Sequence, residues 1–500
     1  MQQGQRDTIN CKEFSFNRND LSKNEKYTLE YLFHHFVFNG QPFLRFKQVS
    51  KEHLELGVAN TITIITGKKR GRFCYNKALN GLIEKGIIER TDFYSKEQGI
   101  AKSLRFTRDF VRSQGNAAIM EKAVIRKRKR SSNKLRRKTD TAIRKLNLKK
   151  GIDINKLVES IVNENYVLDK YIEVDIECIP DRHYEVLEDG RRFKGRYLLK
   201  QAQSLAKKKG KELFYHKKER HFILGERKRY LKDKVAELSL LYKSLLMMIK
   251  HKNYFPTTIS KTNKRLTSFF TVFPNVLLPY IELQKKPIRT WDINNSQFCF
   301  LSNIIKAYYD YTQDSISPLY RKIKEEKEYL PVLTRSFPKL LDENGQLTSS
   351  TKRFIDSACE GQLYDTIANM AKITRGEAKK AMFLVAFSSH RYNPPLKKKL
   401  KTVFPEIIAF IDEFKKIKPN KDKSGFAVWL QRIESSICVS EIFKVLIEKE
   451  HNFLVLTRHD SFTTNTNKRR QFKDAIEEIL DKYLLCGYHL SQEIPREEKA

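Results

Sequence analysis

The chain has 500 residues, enough for roughly two to four domains, and its 97 Lys and Arg against 59 Asp and Glu leave a formal charge of +38. Hydrophobic residues make up 40% of it, which excludes a wholly disordered basic tail, and the positive excess favours a nucleic-acid partner over a merely soluble, lysine-rich protein. Seven scattered cysteines without CxxC spacing, no membrane-length apolar run and no signal-peptide core predict a reduced, cytoplasmic protein with no membrane partner.

Residues 1–115 are predicted to form a winged-helix-like domain. A helix begins near Tyr27, and the segment RFCYNKALNGLIEKG forms a second amphipathic helix that ends at Gly86. IIERTDFY and AKSLRFT follow as paired strands around the turn EQG. A winged helix binds either DNA or a partner protein, and DNA is favoured here by the cations Lys68, Lys69, Arg70 and Arg72.

Residues 116–150 are predicted to be a basic linker. The run from Arg126 to Lys150 holds thirteen Lys or Arg and a single acid, Asp140. Such a density of like charge cannot pack against itself and suits contacts with phosphates, although a localisation signal or a solvated arm is the alternative. The residues expected to contact nucleic acid are Arg126, Lys127, Arg128, Lys129 and Arg130.

Residues 151–255 are predicted to be mostly helical. KVAELSLLYKSLLMMI is a strong amphipathic helix. Ahead of it, the basic zone from Lys207 to Arg229 contains the rings Phe214, Tyr215, His216, His221 and Phe222. Cations beside flat rings suit a nucleic-acid single strand, and the alternative is that these rings belong to the core.

Three patterns that could carry chemistry follow in the second half of the chain. Asp292, in PIRTWDINNSQF, is expected on a strand that ends at the polar group Asn294 to Ser296. In TRGEAKKAMFLVAF, cations and rings recur every four residues, and on a helix they form one stripe about 18 Å long, made by Arg375, Lys379, Phe383 and Phe387. In FLVLTRHDSF, an apolar strand leads His459 and Asp460 into a turn.

In this order, the three patterns resemble motifs A, B and C of the family A nucleic-acid polymerases, the bacterial DNA polymerase I type, and of the related single-subunit phage-type RNA polymerases. NKRLTSFFTVFPNVLLP is similar to the segment before motif A, whose Arg touches the primer–template, and Arg265 matches it. WLQRIESS is similar to the helix before motif C, whose Gln contacts the duplex, and Gln431 matches it. The resemblance covers about residues 260 to 480.

The resemblance implies an α+β, right-hand polymerase fold, with palm and fingers over residues 256–500 and a helical thumb-like region over 151–255. Two Mg²⁺ ions, or Mn²⁺ in their place, would be held by Asp292, Asp460 and the backbone carbonyl of Ile293. Arg375 and Lys379 would bind the nucleotide phosphates, and Phe383 and Phe387 would pack against the nucleotide and the templating base. His459 would join Arg265 and Gln431 in contacting nucleic acid.

Three departures from the family pattern concern the sugar and the metal. Gln297 stands where the family has the Glu that narrows the sugar pocket, motif C ends in Ser461 rather than Glu, and Phe387 lacks the hydroxyl of the Tyr found in many members. No proofreading exonuclease resemblance precedes the polymerase region. The favoured function is a DNA-directed DNA polymerase acting on a DNA template, a primer and nucleoside triphosphates. The alternatives are an RNA polymerase or primase of the same fold, and a non-catalytic DNA-binding replication initiator.

Overall fold

The computed structural model describes most of the chain between residues 20 and 495. The described residues are 20–38, 43–44, 47–48, 76–90, 103–115, 133–176, 179, 183–189, 191–193, 195–217, 219–252, 254, 257–391, 393–416, 425–448, 453–467 and 469–495. They are mixed α and β and divide into two compact units. The first contains the described residues of 20–115 and of 148–254, and the second contains 133–147 and 257–495. The predicted phosphate-contacting residues 126–130 lie outside the described part of the chain.

The first unit begins with the elements expected of a winged helix. Its helices are α1 (Lys23–Phe38), α2 (Asn76–Glu84) and α3 (Arg108–Gly115). Its strands are β1 (Lys47–Gln48), β2 (Ile88–Arg90) and β3 (Ser103–Phe106), in the order β1-β3-β2. Gly86, with φ 66°, follows α2 in the left-handed region and leads into β2, which pairs antiparallel with β3 as predicted. The EQG turn and the cations at positions 68–72 lie outside the described residues.

The rest of this unit contains a sheet that the prediction of a mostly helical region missed. Its helices are α5 (Ile154–Ile161), α6 (Glu164–Tyr171), α7 (Leu199–Lys209) and α8 (Arg227–Lys250). Its strands are β5 (Ile172–Glu173), β6 (Val186–Glu188), β7 (Arg191–Arg192), β8 (Glu212–His216) and β9 (His221–Gly225), in the order β5-β8-β9-β6-β7.

The aromatic residues of the basic zone explain this sheet. Phe214, Tyr215 and His216 lie on β8 and His221 and Phe222 on β9, paired in an antiparallel hairpin, and all five are buried. Short apolar runs rich in aromatic residues form strands as readily as helices, and only their partners decide between the two. These rings belong to the core, so the prediction that they stack on a single strand is wrong.

The second unit contains most of the predicted palm and fingers. Its first helices are α4 (Lys134–Arg144), α9 (Ser296–Thr312), α10 (Pro318–Glu325), α11 (Leu330–Ser336), α12 (Ser349–Cys359) and α13 (Leu363–Ala371). The later helices are α14 (Arg375–Phe387), α15 (Pro395–Val403), α16 (Pro405–Lys416), α17 (Gly425–Ile437), α18 (Phe443–Glu448) and α19 (Arg469–Tyr483). A π-helical turn, Cys438–Ile442, joins α17 to α18.

A sheet of six strands organises this unit. Its strands are β4 (Leu146–Leu148), β12 (Ile281–Leu283), β13 (Lys286–Ile293), β14 (Leu456–Arg458), β15 (Ser461–Asn465) and β16 (Leu490–Glu493). They run β14-β15-β13-β12-β4, and β16 also pairs with β13. A separate two-stranded hairpin consists of β10 (Thr258–Ile259) and β11 (Leu266–Thr267).

The second half of the predicted basic linker is part of this unit. Residues 134–144 form α4, and the Asn133 side chain caps its first turn by accepting a hydrogen bond from the Arg136 amide. Asp140 accepts two hydrogen bonds from Thr257, and Thr139, Ala142 and Ile143 are buried. The basic residues between the apolar ones therefore lie on the exposed side of an amphipathic helix, which is why a count of charges alone predicted a linker.

The core of the second unit is built around α9. Four consecutive residues from Phe298 to Leu301 are fully buried, which places this helix in the middle of the helical layer that covers one face of the sheet. None of the helices in the described parts of the chain is both long and apolar enough to cross a membrane.

Candidate active site

Asp292 lies on β13, the strand that is paired on both sides. Trp291 and Ile293 are buried in the core, where Trp291 packs against Phe472 at 5.2 Å. Successive side chains of a strand point to opposite faces, so Asp292 points away from that core. As predicted, the strand ends immediately before Asn294, and α9 begins at Ser296.

Asp460 is brought to the same place by a tight hairpin. His459 and Asp460 form the two-residue turn between β14 and β15, and His459 takes the left-handed φ of 61°. Asp292 pairs with Ser461, the residue after Asp460. The Ser296 hydroxyl, from the first turn of α9, donates a hydrogen bond to the Asp460 carboxylate. The predicted delivery of His459 and Asp460 into a turn is confirmed, on a strand shorter than the apolar run.

The electrostatics of Asp292 are dominated by burial and by neighbouring acids. Burial, followed by the charge of Asp460 and then Glu493, raises the pKa of Asp292 to about 7, and Lys379 opposes this shift. A perturbed carboxyl beside a second carboxylate is typical of functional sites, because the fold keeps two like charges together that would otherwise separate.

The Asp292–Asp460 pair fits the divalent cation that the sequence predicted. Mg²⁺ prefers oxygen ligands and keeps several waters, so two carboxylates are enough to hold it, and a bound cation would relieve their mutual repulsion. Within the described parts of the chain, no group of three or more His, Cys, Asp and Glu side chains is arranged to hold a metal. Ile293, the third predicted ligand, pairs with Leu490 of β16, and its role stays a prediction.

Helix α14 carries the predicted stripe of cations and rings. Thr374 and Glu377 form a reciprocal capping box that starts the helix at Arg375. Phe383 and Phe387 are 37% and 40% exposed and stack on each other with ring centroids 5.6 Å apart, so the alternative that they are plain core is wrong. Arg375 and Lys379 are also exposed on this helix.

Contacts through Tyr364 and Phe298 connect this stripe to the carboxylates. The Arg375 guanidinium lies 5.8 Å and the Lys379 ammonium 5.9 Å from the centre of the Tyr364 ring. Phe298, two residues after Ser296, contacts both Tyr364 and Phe383 edge to face. Since Lys379 also acts on the pKa of Asp292, the cationic end of the stripe lies beside the carboxylate pair.

A second network joins three further predicted residues. Arg265 forms an ion pair of 2.6 Å with Glu434 of α17, and the Gln297 amide nitrogen lies 3.5 Å from the same Glu434 oxygen. One turn earlier on α17, Gln431 accepts a hydrogen bond from Asn263. Arg265, Gln297 and Gln431 are thus neighbours, although they come from three separate segments.

Glu434 is the functional candidate that the sequence alone missed. It is 1% exposed, and burial raises its pKa to about 7, with Arg265 opposing the shift and Asp460 adding to it. Burial outweighs the ion pair here, because the fully enclosed carboxylate loses more hydration than one guanidinium restores. The available signal was its spacing: an acid three residues after Gln431 lies on the same helix face.

His459 is buried beside Arg265 and Asp460. Burial, and then the charge of Arg265, lowers its pKa, so the imidazole is neutral at pH 7. Its Nδ1 atom has no hydrogen-bond partner among the described residues. Its predicted contact with nucleic acid stays a prediction.

The sequence matches no protein-family model and no curated protein. The functional argument therefore depends on the site itself and on the resemblance of its motifs.

Proposed function

We propose that the protein is a template-directed nucleotidyltransferase that extends a nucleic-acid strand with nucleoside triphosphates. The observation that carries the proposal is the proximity of the Asp292–Asp460 carboxylate pair to the Arg375–Lys379–Phe383–Phe387 stripe. Transfer of a nucleotidyl group needs a site for cations at the reacting phosphate, positive charge for the leaving pyrophosphate and a flat surface for a base.

Each of these requirements has a group in this chain. Asp292 and Asp460 would hold two Mg²⁺ ions, which supply positive charge to the attacking and leaving oxygens. Arg375 and Lys379, at the first two turns of α14, bind the β- and γ-phosphates as these gain negative charge. Phe383 and Phe387 offer their exposed, stacked rings to the base of the nucleotide and to the templating base.

The proposed partners are a nucleic-acid template and primer. Arg265, Gln431 and His459 are the proposed contacts near the site, and the basic segment at 126–130 is the proposed phosphate contact outside it. The +38 charge supports a polyanionic partner. Whether the winged-helix-like elements bind DNA or a partner protein is open to the same binding measurements.

DNA-directed DNA synthesis without proofreading is the form of the reaction that the sequence favours, because Phe387 offers no hydroxyl to a ribose. RNA synthesis, as a polymerase or primase, is the second candidate, and the buried Glu434–Gln297 contact is the observation in its favour. A non-catalytic initiator is less well supported, because a site without a reaction has no reason to keep two like charges together at a cost in stability.

The test is strand extension on primed and unprimed DNA and RNA templates, with dNTPs and NTPs supplied separately and Mg²⁺ or Mn²⁺ present. Templated addition that disappears in Asp292→Asn would support the proposal. Binding of template without addition of either nucleotide under any of these conditions would favour the initiator instead.

A further inference from the structure

Glu434 and Gln297 form a buried polar contact immediately beside the carboxylate pair. Gln297 lies in the first turn of α9, directly after Ser296, whose hydroxyl binds Asp460. Glu434 comes from α17, and its charge acts on the pKa of Asp292. The two side chains belong to residues that are 1% (Glu434) and 8% (Gln297) exposed.

Both side chains hold an oxygen that nothing in the described chain satisfies. Glu434 uses one oxygen for Arg265 and for the Gln297 amide nitrogen, and its Oε1 atom has no partner. The Gln297 Oε1 atom likewise has none among the described residues. A buried acceptor without a donor is costly, so an oxygen left in this state at a reaction site is typical of a contact completed by a ligand.

The chemistry of the two oxygens limits what the ligand can be. A carboxylate oxygen and an amide oxygen only accept hydrogen bonds, so they repel phosphate and attract a hydroxyl. In a nucleotide whose phosphates lie between Asp292–Asp460 and the cations of α14, the sugar is the part that carries hydroxyls. Of these, the 2′-hydroxyl is present in ribonucleotides and absent from deoxyribonucleotides.

We propose that Glu434 and Gln297 read the sugar of the incoming nucleotide by accepting a hydrogen bond from a ribose 2′-hydroxyl. This inference rests on the proposed nucleotidyl transfer and assigns ribonucleoside triphosphates as the substrate class. The Arg265 ion pair fixes the Glu434 side chain, and the Gln297 amide nitrogen keeps its own oxygen beside that carboxylate. A site built to bind a hydroxyl discriminates strongly against the analogue that lacks it, because its buried acceptors then stay unpaired.

The size of the effect follows from the charge on Glu434. A hydrogen bond to a charged acceptor contributes about tenfold to a hundredfold in binding, and a bond to the neutral Gln297 oxygen about twofold to tenfold. The unmodified protein should therefore use NTPs at least as efficiently as dNTPs. This is the opposite of the dNTP preference that the missing hydroxyl of Phe387 predicts.

The experiment measures kcat/KM for one NTP and for its matching dNTP on the same primed template. Glu434→Gln should lower the NTP/dNTP ratio about tenfold or more, and Gln297→Leu, which keeps the side-chain size, should lower it about twofold to tenfold. Arg265→Gln is the matched control for a merely positional role: it breaks the same ion pair but leaves both acceptors, so it should change both kcat/KM values and leave their ratio within about threefold.

Three outcomes would overturn the inference. A clear dNTP preference in the unmodified protein, or a ratio unchanged in both Gln297→Leu and a folded Glu434→Gln, would show that these oxygens do not contact the sugar while leaving nucleotidyl transfer intact. If Glu434→Gln does not fold, Gln297→Leu decides alone. Addition of neither nucleotide would remove the proposed function together with this inference.

Discussion

Asp292 pairs directly with Ser461 across the β13–β15 ladder, and this register places Asp460, the preceding residue, beside the Asp292 carboxyl. The two acids are far apart in the chain, yet they lie at adjacent points of one sheet. A shift of the register by one residue would turn Asp292 to the other face and separate the pair. The catalytic proposal therefore depends on the pairing of two strands as much as on the two residues.

Replacing either acid by its amide should abolish nucleotide addition. Asp292→Asn and Asp460→Asn each remove a metal ligand but no phosphate contact, so duplex affinity should stay within about twofold while addition falls by far more than tenfold. Strand extension and a duplex-binding titration measure the two effects separately. Addition within about tenfold of the unmodified protein in either variant would remove the two-metal assignment.

The stability of the protein should respond to Mg²⁺ in a pH-dependent way. The folded-state pKa of Asp292 is raised from 3.8 to about 7, so its contribution to stability is fully present below about pH 4 and is lost as pH rises through 7. A cation binds the deprotonated form, so saturating Mg²⁺ should raise the unfolding temperature by about 5 °C at pH 8 and by much less at pH 5.5.

Asp292→Asn is the control for this measurement. Without the carboxylate, the protein free of Mg²⁺ should lose less stability between pH 5.5 and pH 8, and the Mg²⁺ increment should largely disappear. Part of the pH dependence should remain, because the pKa of Glu434 is raised to about 7 as well. An equal Mg²⁺ increment at both pH values would show that the ion binds elsewhere.

Lys379→Ala should weaken the use of nucleoside triphosphates specifically. Loss of a cation from the γ- or β-phosphate should lower kcat/KM for the nucleotide about tenfold to a hundredfold, with duplex affinity unchanged. Lys380→Ala is the matched control, since it removes the same charge from the next position of α14, on another face of the helix. Equal losses in the two variants would mean that only the general charge of α14 matters.

Asn303→Ala should destabilise the second unit. This buried side chain donates to the carbonyls of Cys299 (3.0 Å) and Gly487 (3.2 Å) and accepts from the Cys486 amide (2.9 Å), so it ties the segment before β16 to α9. Its loss leaves buried backbone groups unpaired and should cost about 2–4 kcal/mol of unfolding free energy. Asn369→Ala, at an exposed position of α13, should change it by less than about 0.5 kcal/mol in the same urea titration.

The basic segment at 126–130 should control the salt dependence of nucleic-acid binding. Changing Arg126, Lys127, Arg128, Lys129 and Arg130 to Ala should weaken binding to all sequences alike and flatten the log–log salt slope by about 0.9 for each duplex phosphate that is no longer neutralised. Exchanging Arg for Lys and Lys for Arg at the same positions preserves the charge and should leave the slope unchanged. A slope that does not change in the Ala variant would identify the segment as a solvated arm.

The sequence by itself determined the features whose signals lie within about fifteen residues. The stripe on α14 depends only on a four-residue spacing and a capping box, and Asp292 depends on a strand followed by small polar residues. The turn at His459–Asp460 is equally local. In each case neighbouring residues carry the periodicity that selects the element, so no distant partner is needed to predict it.

Only the tertiary structure decided what depends on distant partners. Phe214, Tyr215 and Phe222 have no pattern that separates a core hairpin from a nucleic-acid surface until β8 pairs with β9. Glu434 is an ordinary helix residue in the sequence, and it becomes an acid beside Asp460 and Gln297 because α17 packs there. Such contacts are set by how helices and strands pack over long separations, and burial then raises carboxyl pKa values that composition places near 4.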